Sequence, residues 1–441
     1  MSKLDLLADL VALARRAGAD AADAVLMSSQ GLGVSRRLGQ TDHLKRSESQ
    51  DLGLRVLVGR RQAIVSSTSA DPAGFARLAE RALDMARVVP EDPWAELLEA
   101  PPFEPLPLEL EDAGEPSTED LVARASAAEE AALAVPGVAN SEGASAGWSR
   151  GEVALVTSLG FAGTYARTRH SVSATAVAGE GTGMQRDYDH SGTIFLADLE
   201  SPEEIGRSAG QRAVARLNPQ RPRTARLPVV YDPRVAGGLL GHLAGAINGA
   251  SVARGTTFLK DKVGGQLFAP GITVRDDPHR PRGLRSAPID GEGQRTKPLD
   301  LIDDGRLTTW LLDGRSARQL GLATNARASR GTGGPPSPGP SNLYLAAGTA
   351  TPAELMADIA EGVYATELIG SGINGLTGDY SRGAAGFMIR GGQIAEPVAE
   401  ITIAGNLIEM FKALTPANDL QFKRGTDAPT VRVDGMTMAG A

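Results

Sequence analysis

The side chain in this sequence most suggestive of chemistry is a solitary imidazole. His242 stands in "GGLLGHLAGAIN" (237–248), inside nineteen residues, Val235 to Ala253, that carry no Asp, Glu, Lys or Arg. A helical zinc site needs a second ligand about one turn away, as in H-E-x-x-H. One turn on from His242 is Ala246 and one turn back is Gly238. The other histidines, His43, His170, His190 and His279, are scattered along the chain. The residue types therefore predict a hydrogen-bonded, partly buried histidine and not a metal ligand.

Three other stretches invite a chemical reading. "GDYSRGAAGF" (378–387) offers Ser381 as a nucleophile, but it lacks the G-x-S-x-G elbow, and the sequence places no general base beside it. Its glycines fit close approach of strands or of a bound peptide better. "GTGGPPSPGPSN" (331–342) is turn-rich and is followed by no G-K-[ST], so it is not a phosphate loop. It reads as a lid over a groove or as a long surface loop. "PIDGEGQRT" (288–296) sets Asp290 and Glu292 in a glycine turn. Two carboxylates there could orient an amine, and a solvated turn is the default expectation.

The totals narrow the function classes. The 441 residues suit two or three domains of about 100–200 residues each. A net charge of −8 gives no electrostatic attraction to nucleic acid. The absence of cysteine removes disulfides, thiolate metal sites and cysteine nucleophiles, and fits a cytoplasmic protein. Is the charge-free run a membrane span? Spanning takes about 20 predominantly apolar residues. Here ten of the nineteen are Gly or Ala, with His242, Asn248 and Ser251 added, so a span is rejected. The N-terminus has leucines at 4, 7, 10 and 13, the spacing of an amphipathic helix and not of a signal peptide.

The elements that must carry these residues follow from periodicity. A helix is expected over about 3–17, a hairpin over 52–68 around "VGRRQ", and a helix over about 71–88. Seven prolines in 89–116 mark a linker or extended excursion. Ser117 with Asp120 opens a capped helix. Strand-like runs at 152–158, 161–168 and 171–179 precede a helix from about Pro202 to Leu217, so helix, meander and helix occur twice. "NPQRPRTAR" (218–226) marks a boundary. The expected domains are therefore 1–220, α/β, and 227–441, β-rich. Strand 227–231 leads into one helix over 233–253, and turns at 303–305 and 390–392 join later strands. The fold class is α+β, with no sustained βαβ alternation. In that helix Gly237, Gly241, Gly245 and Gly249 share one side and Leu239, Leu243 and Ile247 the other. Each helical glycine costs about 1 kcal/mol relative to Ala. Either close backbone packing or a groove for a substrate backbone would account for four of them.

The stretches 258–325, "GINGLTGDYSRGAAGFMIRGGQI" (372–394) and "PVAEITIAGNLIEMF" (397–411) resemble the TldD/TldE family, whose TldE branch is also called PmbA. The resemblance implies an N-terminal α/β domain and a C-terminal barrel-like domain. TldD is a zinc peptidase with an H-E-x-x-x-H helix and a later cysteine associated with the metal. On that motif Gly241 and Ala246 replace the two histidines, and His242 falls at the glutamate. The chain thus resembles the TldE/PmbA branch, with no metal site and no catalytic residue of its own. Zinc is expected in a TldD-type partner, paired as a heterodimer, with a homodimer as the other possibility. The pair is implicated in proteolysis of unfolded or modified peptides, including maturation of microcin-like peptides and antitoxin turnover. An older family label is modulator of DNA gyrase. Motif position puts substrate-groove candidates at Gly241, His242, Gly245, Asp379, Tyr380, Ser381, Arg382 and Gly383, facing an extended peptide bound by strand addition. Two alternatives stand beside this: a homodimeric peptide-binding adaptor acting without TldD, and a cryptic non-metal hydrolase. No nucleic-acid or membrane partner is expected.

Overall fold

The structure, a computed structural model, describes residues 2–440. Its N-terminal half repeats one plan. Helix α1 (Lys3–Arg16) starts at Ser2, whose hydroxyl and the Asp5 carboxylate cap each other's backbone N–H groups, and buries Leu7, Leu10, Val11 and Ala14. Strands β1 (Ala21–Arg37), β2 (Gln40–Val58) and β3 (Arg61–Ser67) form a meander closed by α2 (Phe75–Val88). The second unit runs α3 (Thr118–Leu133), β4 (Val138–Thr157), β5 (Ala162–Ala178), β6 (Gln185–Thr193) and α4 (Pro202–Ala215). The units join through β1 and β4 into one antiparallel sheet, ordered β3-β2-β1-β4-β5-β6. The repeated helix–meander–helix arrangement expected from the sequence is present. The two short runs expected at 161–168 and 171–179 form the single strand β5, because the residues between them keep the pleat.

Alternation sets the two faces of this sheet. Ala24 and Leu26 pack under α1 and α2. Val25, between them, packs with Leu155, Phe161 and Ile289, so the opposite face rests on the C-terminal half. Helices α3 and α4 approach closely, and a Cβ at Gly206 would run into the Ala128 carbonyl. Residues 89–116 hold no helix or strand, yet they are anchored. Ala95, Leu97, Leu108 and Leu110 are buried, and Arg318 donates to the Trp94 and Glu96 carbonyls.

The C-terminal half is built on a closed five-stranded barrel. Strand β7 (Ala225–Tyr231) lies parallel to β8 (Glu361–Ile373), which continues through β9 (Asp379–Arg390) and β10 (Gln393–Asn406). Strand β11 (Val431–Ala439) pairs with both β7 and β10 and so leaves no gap. The architecture is α+β. Between β7 and β8 the chain forms helix α5 (Pro233–Ala246) and helix α6 (Gly249–Ala253). The single helix expected over 233–253 is thus broken. The reason is local: Asn248 caps α6 by accepting N–H bonds from Ala250 and Ser251, while Leu311 bonds the backbone of Ile247 and Gly249. Among the described residues no helix is long and apolar enough to cross a membrane.

Candidate functional site

Helix α5 carries three of the expected site residues, Gly241, His242 and Gly245, and β9 carries the other five. Pro233 occupies its first turn and Asp232 accepts the Arg234 N–H at 2.8 Å, fixing where it starts. Ala236, Leu239, Leu240, Leu243 and Ala246 face the barrel core. The opposite side is bare. Gly238, Gly241 and Gly245 are exposed, and a Cβ on any of them would meet nothing within 4 Å. The ends of the glycine series differ. Gly237 sits against the Thr426 carbonyl and Gly249 against that of Leu311. Close packing therefore explains the outer two glycines, and an open face remains at the inner positions.

His242 lies half-buried at the border of that face. Its ring stands edge-on to Tyr380 of β9, with centroids 5.9 Å apart. Tyr380 is buried, and among the described residues its hydroxyl has no hydrogen-bond partner. Beside it the Tyr231 hydroxyl donates to Met436 Sδ at 3.2 Å. Burial, then the neighbouring Tyr380 phenol, hold Tyr231 well above the usual phenol range. Arg382, two residues beyond Tyr380, shares its side of the strand. Burial first, and the Arg382 charge second, pull the His242 imidazole down to about 4, so it is neutral at neutral pH.

Arg382 also lines a groove of about 380 Å³ alongside the N-terminal end of α5, with Arg234 and Gly238 of that helix and Glu367 of β8. The far wall is β6, through Asp187. Asp187 binds Arg234 at 2.7 Å and Arg216 at 3.4 Å, and Arg216 also pairs with Glu367. Burial raises the Asp187 carboxyl, but Arg234 and Arg216 outweigh it and hold the group below its ordinary range. This network ties the sheet to the barrel beside the groove.

The expected site residues do not all meet. His242, Tyr380 and Arg382 come together, while Gly241 and Gly245 lie on the exposed face of α5. Asp379, Ser381 and Gly383 fall on the other side of the β9 pleat. Asp379 accepts from Thr377 Oγ1 at 2.6 Å and Asn406 Nδ2 at 3.2 Å, a turn-forming role. The pleat carries Ser381 away from His242. Sequence reading missed Tyr231, Asp187, Arg216, Arg234 and Glu367, which are brought in by strand pairing and an ion network with no local signature. In the Asp290–Glu292 turn, expected to be solvated, Glu292 is buried and Asp290 half-buried. Burial, aided by Asp290, pushes Glu292 up to about 7, and burial pushes Asp290 up to about 6. Loop 331–342 folds back on the sheet, with the Thr332 carbonyl against Gly53.

Sheet, barrel and a ligand-free helix between them define a class, the two-body scaffold of the PmbA/TldD metallopeptidases. Matches to the three family models, PmbA/TldA metallopeptidase domain 1 over residues 22–86, the central domain over 111–217 and the C-terminal domain over 224–440, place the chain in this family. It is 37% identical to "Metalloprotease PmbA" of Escherichia coli O157:H7 over 425 residues, 96% of this chain and 92% of that protein. It is 32% identical to "Metalloprotease PmbA homolog" of Haemophilus influenzae, over 98% and 94% of the two chains. The crystal structure of TldE from Thermococcus kodakarensis superposes with a TM-score of 0.89 at 21% identity, covering 99% of this chain and all of that one, which speaks for the fold.

Does the site suit the metal that the family name implies? A catalytic zinc takes three protein ligands and a water. Flanking His242 at the motif positions are Gly241 and Ala246, and a guanidinium stands nearby. Among the described residues no three His, Asp or Glu side chains gather as a metal-binding group. The residues present do not fit a zinc ion.

Proposed function

We propose that this chain is the non-catalytic PmbA/TldE-type subunit of a two-subunit peptidase, paired with a zinc-bearing TldD-type chain. Its role is to help process unfolded or modified peptides by shaping the groove through which they reach the metal. One observation carries the reading: the family's metal helix is kept in place and capped, yet its motif positions are an exposed glycine and a buried alanine. A helix with no side chains at Gly238, Gly241 and Gly245, flanked by neutral His242 and cationic Arg382, suits close packing of an extended peptide along its surface. It makes little demand on peptide sequence.

A surface for the partner is available on β2. Residues 40–50 pair with β1 on one side only, since β3 begins to pair at Leu52, and all eleven are exposed in an unbroken run. Such a long free edge is ordinarily capped or used. Two measurements test the reading. The purified chain, incubated with zinc and desalted, should retain no stoichiometric metal by mass spectrometry. Mixed with the TldD-type chain, it should elute as a 1:1 complex. Tight zinc in this chain alone, or persistent separation of the two, contradicts the proposal.

A further inference from the structure

Apart from the α5 groove, the barrel-facing side of the N-terminal sheet and two C-terminal loops line a half-open cavity of about 190 Å³. Its sheet wall follows from strand alternation. Val25 and Met27 of β1 lie opposite Leu155 and Val153 of β4, and all four line the cavity. The other wall comes from the 278–296 turn and the 326–341 loop. Asp290 fastens these together, accepting N–H bonds from Glu292 and Gln294 at 2.9 Å and from Ala328 at 3.1 Å.

The charges around the cavity are unequal. Four arginines line it, Arg167, Arg285, Arg327 and Arg330, against the single carboxylate of Asp290. Arg327 pairs with Asp276, and Arg330 with Asp23. The other two have no carboxylate partner among the described residues. Arg167 donates to the Leu284 and Ser286 carbonyls, both at 3.0 Å, and Arg285 reaches Thr426 Oγ1 at 3.3 Å. Arg330 is also incompletely used. Its side chain is only 2% exposed, and among the described residues Nε and Nη1 have no hydrogen-bond partner. Asp23 is shared with Arg55, so a single carboxylate serves two guanidinium groups there. Arg167 and Arg285 therefore line the cavity with guanidinium groups that carry no carboxylate of their own, and an anion is what such groups accept.

We propose that this cavity binds a small monocarboxylate with a short apolar stem, its carboxylate held on the arginine side and its stem against Val25, Met27, Val153 and Leu155. A free acid and the C-terminal residue of a short peptide share this chemistry. The site does not depend on the peptidase-subunit reading, because none of its residues belongs to the α5 groove.

Calorimetry on the full chain tests it with N-acetyl-L-leucine, its neutral amide, the tripeptide Ala-Ala-Leu and inorganic phosphate. The acid is expected to bind and the amide about tenfold or more weakly, as follows from losing a charge-assisted pair. Arg285→Gln, at an exposed position, should weaken the acid several-fold with an unchanged melting curve, and Arg167→Gln should weaken it several-fold with some loss of stability from its two carbonyl bonds. Equal affinity for the tripeptide identifies peptide C-termini as the source, and weaker affinity identifies free acids. Acid and amide binding alike, phosphate matching the acid, indifference to both substitutions, or no binding by any carboxylate at millimolar concentration overturns the proposal.

Discussion

His242 and Tyr380 meet edge-to-face, ring centroids 5.9 Å apart at an interplanar angle of 68°, and this contact joins helix α5 to the barrel wall. The imidazole is held neutral there, first by burial and then by Arg382, which moves its pKa from 6.5 to about 4. The folded state thus binds this proton less readily than the unfolded chain. The His242 contribution to stability is fully present above pH 6.5 and is lost as pH falls toward and through 4. With allowance for solvent screening at this half-exposed site, the loss is about 2 kcal/mol. Urea melts at pH 7 and pH 4 should show His242→Gln losing less stability on acidification than the parent chain. Identical pH dependence in both would remove His242 from this role.

Gly241 separates structural from functional use of the bare helix face. A Cβ there meets nothing, and Ala is favoured over Gly in a helix by about 1 kcal/mol. Gly241→Ala should leave stability unchanged or slightly raised. Gly241→Leu should fold equally well but project a side chain over the face, reducing peptide processing by the assembled complex. A large drop in thermal stability in either variant would show the face to be packed.

Asp187 stands between Arg216 and Arg234 with its side chain 3% exposed. Removing its charge leaves two largely buried guanidinium groups short of a counter-ion, a loss of about 3 kcal/mol. Asp187→Asn should therefore lower the urea midpoint markedly. A near-neutral outcome would mean that Glu367 and Asp232 suffice for the two arginines.

Glu292 accepts the Gly314 N–H at 2.7 Å and is pushed up to about 7 by burial and by Asp290. A carboxyl with a raised folded pKa contributes most below its unfolded value of 4.5, and that contribution fades as pH rises through 7. Glu292→Gln keeps an acceptor for Gly314 and removes the buried charge. It should stabilise the protein by about 1–3 kcal/mol at pH 8 and by little at pH 4.5. Destabilisation at pH 8 would show that the charge serves Arg55 more than it costs.

Local periodicity made much of this molecule legible. Leucines at 4, 7, 10 and 13 announced the first helix, and Ser117 with Asp120 three places on announced α3, and both start where expected. The glycines of 237–249 announced an unusual helix. What they could not announce was the break at Asn248, since Leu311, which bonds the flanking backbone, is more than sixty residues away. The same limit hid the ion network. Asp187, Arg234 and Glu367 are each unremarkable in sequence and acquire meaning only when β6, α5 and β8 meet. Asp290 and Glu292 looked like a solvated turn because turn chemistry is local, whereas their burial comes from packing of the turn against loop 326–330 and the helix start at Gly314. Strand alternation within "DYSRG" could have separated Tyr380 and Arg382 from Ser381, given the correct assignment of that stretch as a strand.

The central claim is that this chain completes a peptidase without carrying its chemistry. Its most direct test is hydrolysis of an unfolded protein substrate by the purified chain, by its TldD-type counterpart, and by the two mixed. Activity in the mixture, abolished by a chelator and absent from this chain alone, is the predicted result. Hydrolysis by this chain alone, surviving the chelator, would contradict the account and point to a catalytic centre elsewhere in the molecule.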